Sequence, residues 1–277
     1  MKSYQQFAYL YDFLMREAPY EQWLDIWKLL EQRGIICPQE DLSETQQLSR
    51  MTPSRGMAKY KIADIGCGTG TLSLMLAERG HKVWGIDVSE DMLATAESKR
   101  AECALPLQHN MRFLCQDMRE LHLPETVDVV LSFCDSMNYL ESVEDLRVTF
   151  DKLHRVLKHS GIFAFDMLSL QKMRHLIGDQ RHFEVSDDVV SIWQNDWDEA
   201  EHLLHYDVSF FVREAGDLYR RFDEYHLQKG FTIDEVRRVM IDSGFEIIRE
   251  FSDFDWDKPI GDAEDRYFWV ARKTEKS

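Results

Sequence analysis

Three glycines and two carboxylates stand where they could hold a ligand against bare backbone. The run Asp64-Ile65-Gly66-Cys67-Gly68-Thr69-Gly70 follows a short apolar stretch and precedes residues that recur at helical spacing. Strand, glycine turn and helix start is a geometry that aims backbone N–H groups at a ligand. Without Cβ atoms, Gly66, Gly68 and Gly70 allow a sharp turn and a close approach. The spacing is G-x-G-x-G rather than the G-x-G-x-x-G of dinucleotide-binding turns. Asp64, two residues before the first glycine, suits an ammonium better than a pyrophosphate. Asp87 ends the next apolar run, where an acid can accept hydrogen bonds from two ribose hydroxyls.

The elements that must position these groups can be read from the chain. Apolar runs predict parallel strands at Lys61–Ala63, His81–Ile86, Arg112–Gln116, Val127–Phe133 and Ile162–Phe165. Helical periodicity follows Gly70, Ser89 and Ser142, and the two serines stand as N-caps. Two helices are predicted within residues 3–32, split by Pro19; their aromatics either pack on the sheet or close over a pocket as a lid. Residues 39–59 read as a polar surface loop. From Phe183 to Leu227 the period becomes two, which predicts antiparallel strands with a hairpin at Glu214–Asp217. On the last of these strands Phe222, Glu224, His226 and Gln228 share a face. Glu224 and His226 could bind or deprotonate a substrate, or form a hydrogen-bonded pair on a half-exposed sheet. A final helix after Thr232 and two closing strands, Phe245–Phe251 and Arg266–Ala271, complete the pattern.

Composition narrows the function. The chain of 277 residues is 44% hydrophobic and 30% charged, enough for a full core. A net charge of −17 disfavours a nucleic-acid partner. Five scattered cysteines without a C-x-x-C pair argue for a reducing, cytoplasmic setting and against a metal site. No signal peptide or membrane span is expected.

Asp64 to Gly70 resembles motif I of the class I S-adenosylmethionine-dependent methyltransferases, and the likeness is most specific across about residues 60–170. It implies an α/β, Rossmann-like fold with a seven-stranded, mostly parallel sheet in the order 3-2-1-4-5-7-6. To this it adds a helical lid (1–35), a loop insertion (36–60), a cofactor core (61–177), an antiparallel β insertion (180–230) and closing elements (231–277). It also implies S-adenosylmethionine as cofactor, held by the glycine loop with Asp64 and Cys67. Asp87 would hold the ribose, Val88 and Met92 would pack near the adenine, and Asp117 with the Met118 backbone would bind its edge. The helix carrying Tyr11 resembles the lid of small-molecule methyltransferases, including the glycine N-methyltransferase type, where an aromatic at this position touches the cofactor; Tyr4 is a second such aromatic. The loop Cys134-Asp135-Ser136-Met137-Asn138-Tyr139-Leu140 leaves a central strand at the ligand edge of the sheet, which sets Asp135, Ser136, Asn138 and Tyr139 beside the transferable methyl. Cys134 lacks an evident histidine partner for nucleophilic work and is read as lining the cofactor. Asp135 to Leu140 is similar to the D-S-[LM]-N-Y-L loop of a group of small bacterial methyltransferases. Leu168 stands where the glycine N-methyltransferase type carries a carboxylate-binding arginine, which argues against glycine as acceptor.

The expected activity is methyl transfer to nitrogen or oxygen of a small molecule, with Asp135, Glu224 or His226 as base for an oxygen acceptor. A homodimer is compatible with the sequence. A non-catalytic S-adenosylmethionine sensor and an NAD-linked oxidoreductase are the alternatives.

Overall fold

Seven of the apolar runs pair into one sheet, whose order fixes which strand tips come together. The computed structural model describes residues 7–36, 60–261 and 263–275. The strands are β1 (Lys61–Ile65), β2 (Lys82–Asp87), β3 (Met111–Cys115), β4 (Val127–Ser132), β5 (Leu157–Leu168), β10 (Phe245–Ser252) and β11 (Arg266–Lys273). They pair in the order β10-β11-β5-β4-β1-β2-β3, parallel from β3 to β5 and antiparallel from β5 to β10. This is the order expected, with β11 as the seventh strand and β10 as the sixth. The sheet reverses between β1 and β4, and ligands of open α/β sheets bind at such a reversal.

Helices cover both faces. They are α1 (Phe7–Leu14), α2 (Tyr20–Gln32), α3 (Thr71–Glu78), α4 (Glu90–Glu102), α5 (Leu105–His109), α6 (Val143–Val156) and α7 (Ile233–Asp242). Their starts follow the predicted caps. Ser89 accepts from the Met92 amide, Ser142 from that of Asp145, and Thr232 closes a capping box with Glu235. In α4, Glu90 and Asp91 lie in the first turn and Lys99 and Arg100 in the last, matching the helix dipole.

The two N-terminal helices do different work. α2 buries Trp23, Leu24, Ile26, Trp27 and Leu30 in the cluster that holds Ile62, Val83 and Leu131, so it belongs to the core. α1 sends Leu10 to Met92 of α4 and to Val208 and Phe210 of the insertion, bridging the two. Tyr4 and the loop 39–59 lie outside the described residues.

The insertion is a four-stranded antiparallel sheet of β6 (Arg181–Val185), β7 (Val189–Asp198), β8 (Leu203–Ala215) and β9 (Leu218–Lys229). β6 begins at Arg181, ahead of Phe183 where the period-two pattern starts, and all its residues are exposed. Another departure is β5, expected from Ile162 but beginning at Leu157. Leu157 pairs with Val127, and Lys158 Nζ reaches Asp128 Oδ1 at 2.6 Å, which draws a polar stretch onto β4 before the apolar run begins. Among the described residues, no helix is long and apolar enough to cross a membrane.

Candidate active site

The glycine turn is built as its sequence requires. Gly66, Gly68 and Gly70 have φ of 70°, 54° and 75°, a region that L side chains occupy only with strain. The Gly66 and Cys67 amides donate to the Ile86 carbonyl at 2.8 and 3.0 Å, pinning the turn to β2. A Cβ on Gly66 would stand 2.4 Å from Ser136 Oγ, and one on Gly70 2.8 Å from Phe113 Cζ. The Tyr11 ring lies over Gly68, with Cε1 3.7 Å from where a Cβ would be. α1 is fastened there by Asp12, which accepts from Thr69 Oγ1 at 2.6 Å and pairs with Lys99 at 2.6 Å.

The carboxylates differ in setting. Asp64 is 3% exposed and accepts from Ser73 Oγ at 2.6 Å. Burial pushes its pKa up to about 6; the Ser73 bond opposes the shift and the Asp87 charge adds to it. Asp64 therefore lies beneath the loop rather than at its mouth. Asp87 stands at the tip of β2, accepting from the Gly68 amide at 2.8 Å and the Ser89 amide at 2.9 Å. Burial raises its pKa, and these backbone bonds hold it back. Each of its oxygens keeps a lone pair for a hydroxyl donor. Val88 is exposed beside it, and Met92 is buried under α1. Asp117 caps the short helical turn Met118–Glu120, and its carboxylate is gripped by Arg119 at 2.6 Å, which lowers its pKa. An adenine amine would have to share that carboxylate with Arg119.

The loop after β4 carries the second half of the site. Cys134 and Asp135 have φ of 60° and 51°, so the chain turns sharply as it leaves the strand. Burial pushes the Cys134 thiol up, and the same holds for Cys67; neither is a thiolate. Asp135 Oδ1 pairs with Arg266 at 2.8 Å, and its Oδ2 accepts from Gln228 Nε2 at 2.8 Å. Asn138 is fully buried, with Oδ1 accepting from the Leu168 amide and Nδ2 donating to the Lys229 carbonyl, both at 2.9 Å. It ties β5 and β9 together, and its amide is committed to backbone. Tyr139 is 39% exposed and its hydroxyl stands 3.4 Å from His226 Nδ1. Burial lowers the His226 pKa to about 4, so the ring is neutral at neutral pH. Glu224 is 5% exposed on the same strand face.

A family profile described as a methyltransferase domain matches residues 62–161. A protein of Bacillus subtilis (strain 168) named "Putative methyltransferase YqeM" is 36% identical over 272 residues, covering 98% of this chain and 97% of that protein. The crystal structure of an S-adenosylmethionine-dependent methyltransferase from Clostridium acetobutylicum ATCC 824 superposes with a TM-score of 0.80 at 25% identity, covering 98% of this chain and 99% of that one. A glycine/sarcosine N-methyltransferase of Aphanothece halophytica is 30% identical over 227 residues, covering 77% of this chain and 76% of that protein.

The chain belongs to the class I S-adenosylmethionine-dependent methyltransferases. S-adenosylmethionine is the methyl donor of this methyltransferase. The chain's own residues fit such a cofactor: a bare backbone turn, with a carboxylate at the neighbouring strand tip.

The methyltransferase also holds a buried network that sequence reasoning did not foresee. Arg266 Nη1 pairs with Asp166 Oδ2 at 2.9 Å while its Nη2 pairs with Asp135. Asp166 also accepts from Trp23 Nε1 at 2.7 Å and from the Asp135 amide at 2.9 Å. Beyond Asp135, Gln228 Oε1 accepts from the Tyr206 hydroxyl at 3.1 Å. The only signals in the chain were the acid directly after the fifth apolar run and the glutamine at the end of the alternating face. Nothing local pairs either with Arg266.

Proposed function

We propose that this methyltransferase transfers the sulfonium methyl to a nitrogen or oxygen of a small molecule bound between the loop after β4 and the inward face of β7–β9. One observation carries the reading. Within that loop, Ser136 Oγ donates to the Gly66 carbonyl at 3.3 Å, while adjacent Asp135 accepts from Gln228 of β9. The loop thus lies between the glycine turn and the insertion sheet, and Tyr11 borders both. Bound S-adenosylmethionine supplies an electrophilic methyl that needs no further activation, so the protein's task is to orient two partners and exclude water. In this reading Asp87 holds the ribose, the glycine turn and Asp64 take the amino-acid end, and Val88, Met92, Asp117 and the Met118 backbone border the adenine. Cys67 and Cys134 line the path as neutral thiols. Tyr139, Glu224 and His226 face the acceptor, and Asp135 and Asn138 hold the wall.

The net charge of −17 supports a small-molecule acceptor over a nucleic acid. The test is turnover of S-adenosylmethionine to S-adenosylhomocysteine with a panel of small amines and hydroxyl compounds, beside calorimetric titration of S-adenosylhomocysteine and NAD. Tight binding of S-adenosylhomocysteine with turnover of panel members is expected. Binding of NAD instead, or cofactor binding with no methyl transfer to any acceptor, overturns the reading.

A further inference from the structure

The inward face of the insertion sheet has a chemical bias. Cross-strand register sets Asn195, Tyr206 and His226 in one row and Trp193, Val208 and Glu224 in the next. Side chains directly opposite in an antiparallel pair share a face. Burial agrees: Asn195, Glu224, His226 and Gln228 are 8%, 5%, 6% and 3% exposed, while Gln194, Asp223 and Tyr225 between them are exposed. From the row of Ser191, Phe210 and Phe222 to that of Trp197, Leu204 and Gln228 this face carries no lysine or arginine; Arg220, in the outermost row with Val189 and Val212, is exposed and pairs with Glu214. Arg266, which reaches the face through Asp135 beside Gln228, is already engaged by Asp135 and Asp166. Both of its ends are thereby taken, and Glu224 is a further carboxyl on this face. His226, held neutral, puts no positive charge on the wall. Independently of these acids, Asn195 Oδ1 is buried without a hydrogen-bond partner among the described residues. A buried acceptor left unmet is costly and is satisfied by a donor. That amide oxygen asks for an N–H donor, Glu224 places a carboxyl on the same face, and the rings of Trp193, Tyr206 and Tyr139 suit a cation.

We propose that the acceptor is an amine without an anionic handle, bound as its ammonium by Glu224 and Asn195 among these aromatic rings. This rests on the small-molecule reading above and narrows it. An acceptor bearing a carboxylate or phosphate would meet these carboxyl groups, with Arg220 away in the outermost row and already paired with Glu214. In the reaction the ammonium first releases a proton to solvent. The freed nitrogen lone pair then forms the N–C bond as the C–S bond breaks, and the bonding pair passes to sulfur. The products are the methylated ammonium and neutral S-adenosylhomocysteine, so charge and atoms balance.

The experiment compares matched acceptors with phenylethyl and hexyl bodies, each as the amine, the alcohol and the carboxylate-bearing amine. Their binding to the full chain saturated with S-adenosylhomocysteine is measured by calorimetry, and methyl turnover is measured with S-adenosylmethionine. The simple amines are expected to bind and turn over at least tenfold better than either counterpart. Glu224→Gln, nearly isosteric, is expected to raise KM for the amine about tenfold, with kcat within about threefold and the S-adenosylhomocysteine affinity unchanged. Asn195→Ala is expected to raise KM in the same sense, and melting curves of both variants verify that they fold. Alcohols or carboxylate-bearing amines matching the simple amines, no amine binding at all, or a Glu224→Gln enzyme with unaltered KM would each overturn the proposal. Turnover of alcohols alone would leave the methyltransferase reading intact while removing this one.

Discussion

The Gly68 amide donates to Asp87 Oδ2 at 2.8 Å, so the carboxylate at the tip of β2 also fixes the shape of the glycine turn beside it. Removing that carboxylate does two kinds of harm. Asp87→Ala should weaken S-adenosylhomocysteine binding more than tenfold, through lost charge-assisted bonds to the ribose and a loosened turn. Asp87→Asn keeps one acceptor oxygen but turns an NH2 toward either the Gly68 or the Ser89 amide, so an intermediate loss is expected. Calorimetry checks both; an unchanged affinity in the alanine variant would exclude the ribose role.

Gly66 is constrained twice, by its φ of 70° and by Ser136 Oγ only 2.4 Å from a prospective Cβ. Gly66→Ala should destabilise the fold by roughly 1–2 kcal/mol for the left-handed backbone and about 1–3 kcal/mol for overpacking. Pairing it with Ser136→Gly removes only the second part. Urea unfolding of the two single variants and the double variant separates the terms.

Asp64 makes a pH-dependent contribution. Its folded pKa of about 6 lies above its usual 3.8, so the native state binds the extra proton between those values. Stability from this group is fully present below pH 3.8 and is lost as pH rises through about 6. Above that, the buried charge costs about 3 kcal/mol. Asp64→Asn keeps an acceptor for Ser73 and should melt higher than the parent at pH 8, with the gap narrowing as pH falls from 6 toward 4. Its affinity for S-adenosylhomocysteine should fall at pH 8, since the ammonium loses a counter-charge. Melting curves that stay parallel across pH would contradict the assigned burial.

Arg266 is the guanidinium that Asp135 and Asp166 share. Arg266→Met strands the buried Asp166 and the partly buried Asp135 and should destabilise by roughly 3–5 kcal/mol. Adding Asp166→Asn should recover part of that loss, because one stranded charge disappears. Thermal unfolding of the single and double variants tests the coupling; strict additivity would deny it.

Asn138 and Tyr139 are neighbours with different jobs. Asn138→Ala orphans the Leu168 amide and the Lys229 carbonyl, each worth about 1–3 kcal/mol when buried unmet, so stability should drop. Tyr139→Phe, at a 39% exposed position, should leave stability nearly unchanged and affect only the acceptor side. Unfolding free energies and KM values, measured together, distinguish the two.

Much of this architecture can be read along the chain because its signals are local. The strand–turn–helix run at 61–78, the acid closing β2 and the period-two stretch of the insertion each lie within a few residues. What escaped is non-local. Asp135, Asp166 and Arg266 meet only because β11 lies beside β5, and no spacing announces that meeting. Asn138 looked like a group for chemistry because it follows Asp135 in the loop; in the fold both ends of its amide are committed to backbone. Tyr11 was legible only through resemblance, since its contact with Gly68 crosses from α1 to the glycine turn.

The position of β11 between β5 and β10 has a bearing on how the protein comes to life. Arg266 opens that strand, so its guanidinium reaches Asp135 and Asp166 only when distant stretches of polypeptide zip side by side, a slow class of event. With the parallel strands paired but β11 not yet beside β5, Asp135 and Asp166 would lack the guanidinium that joins them in the finished enzyme. Completion of this corner of the site therefore depends on the docking of one late-coming strand of the chain.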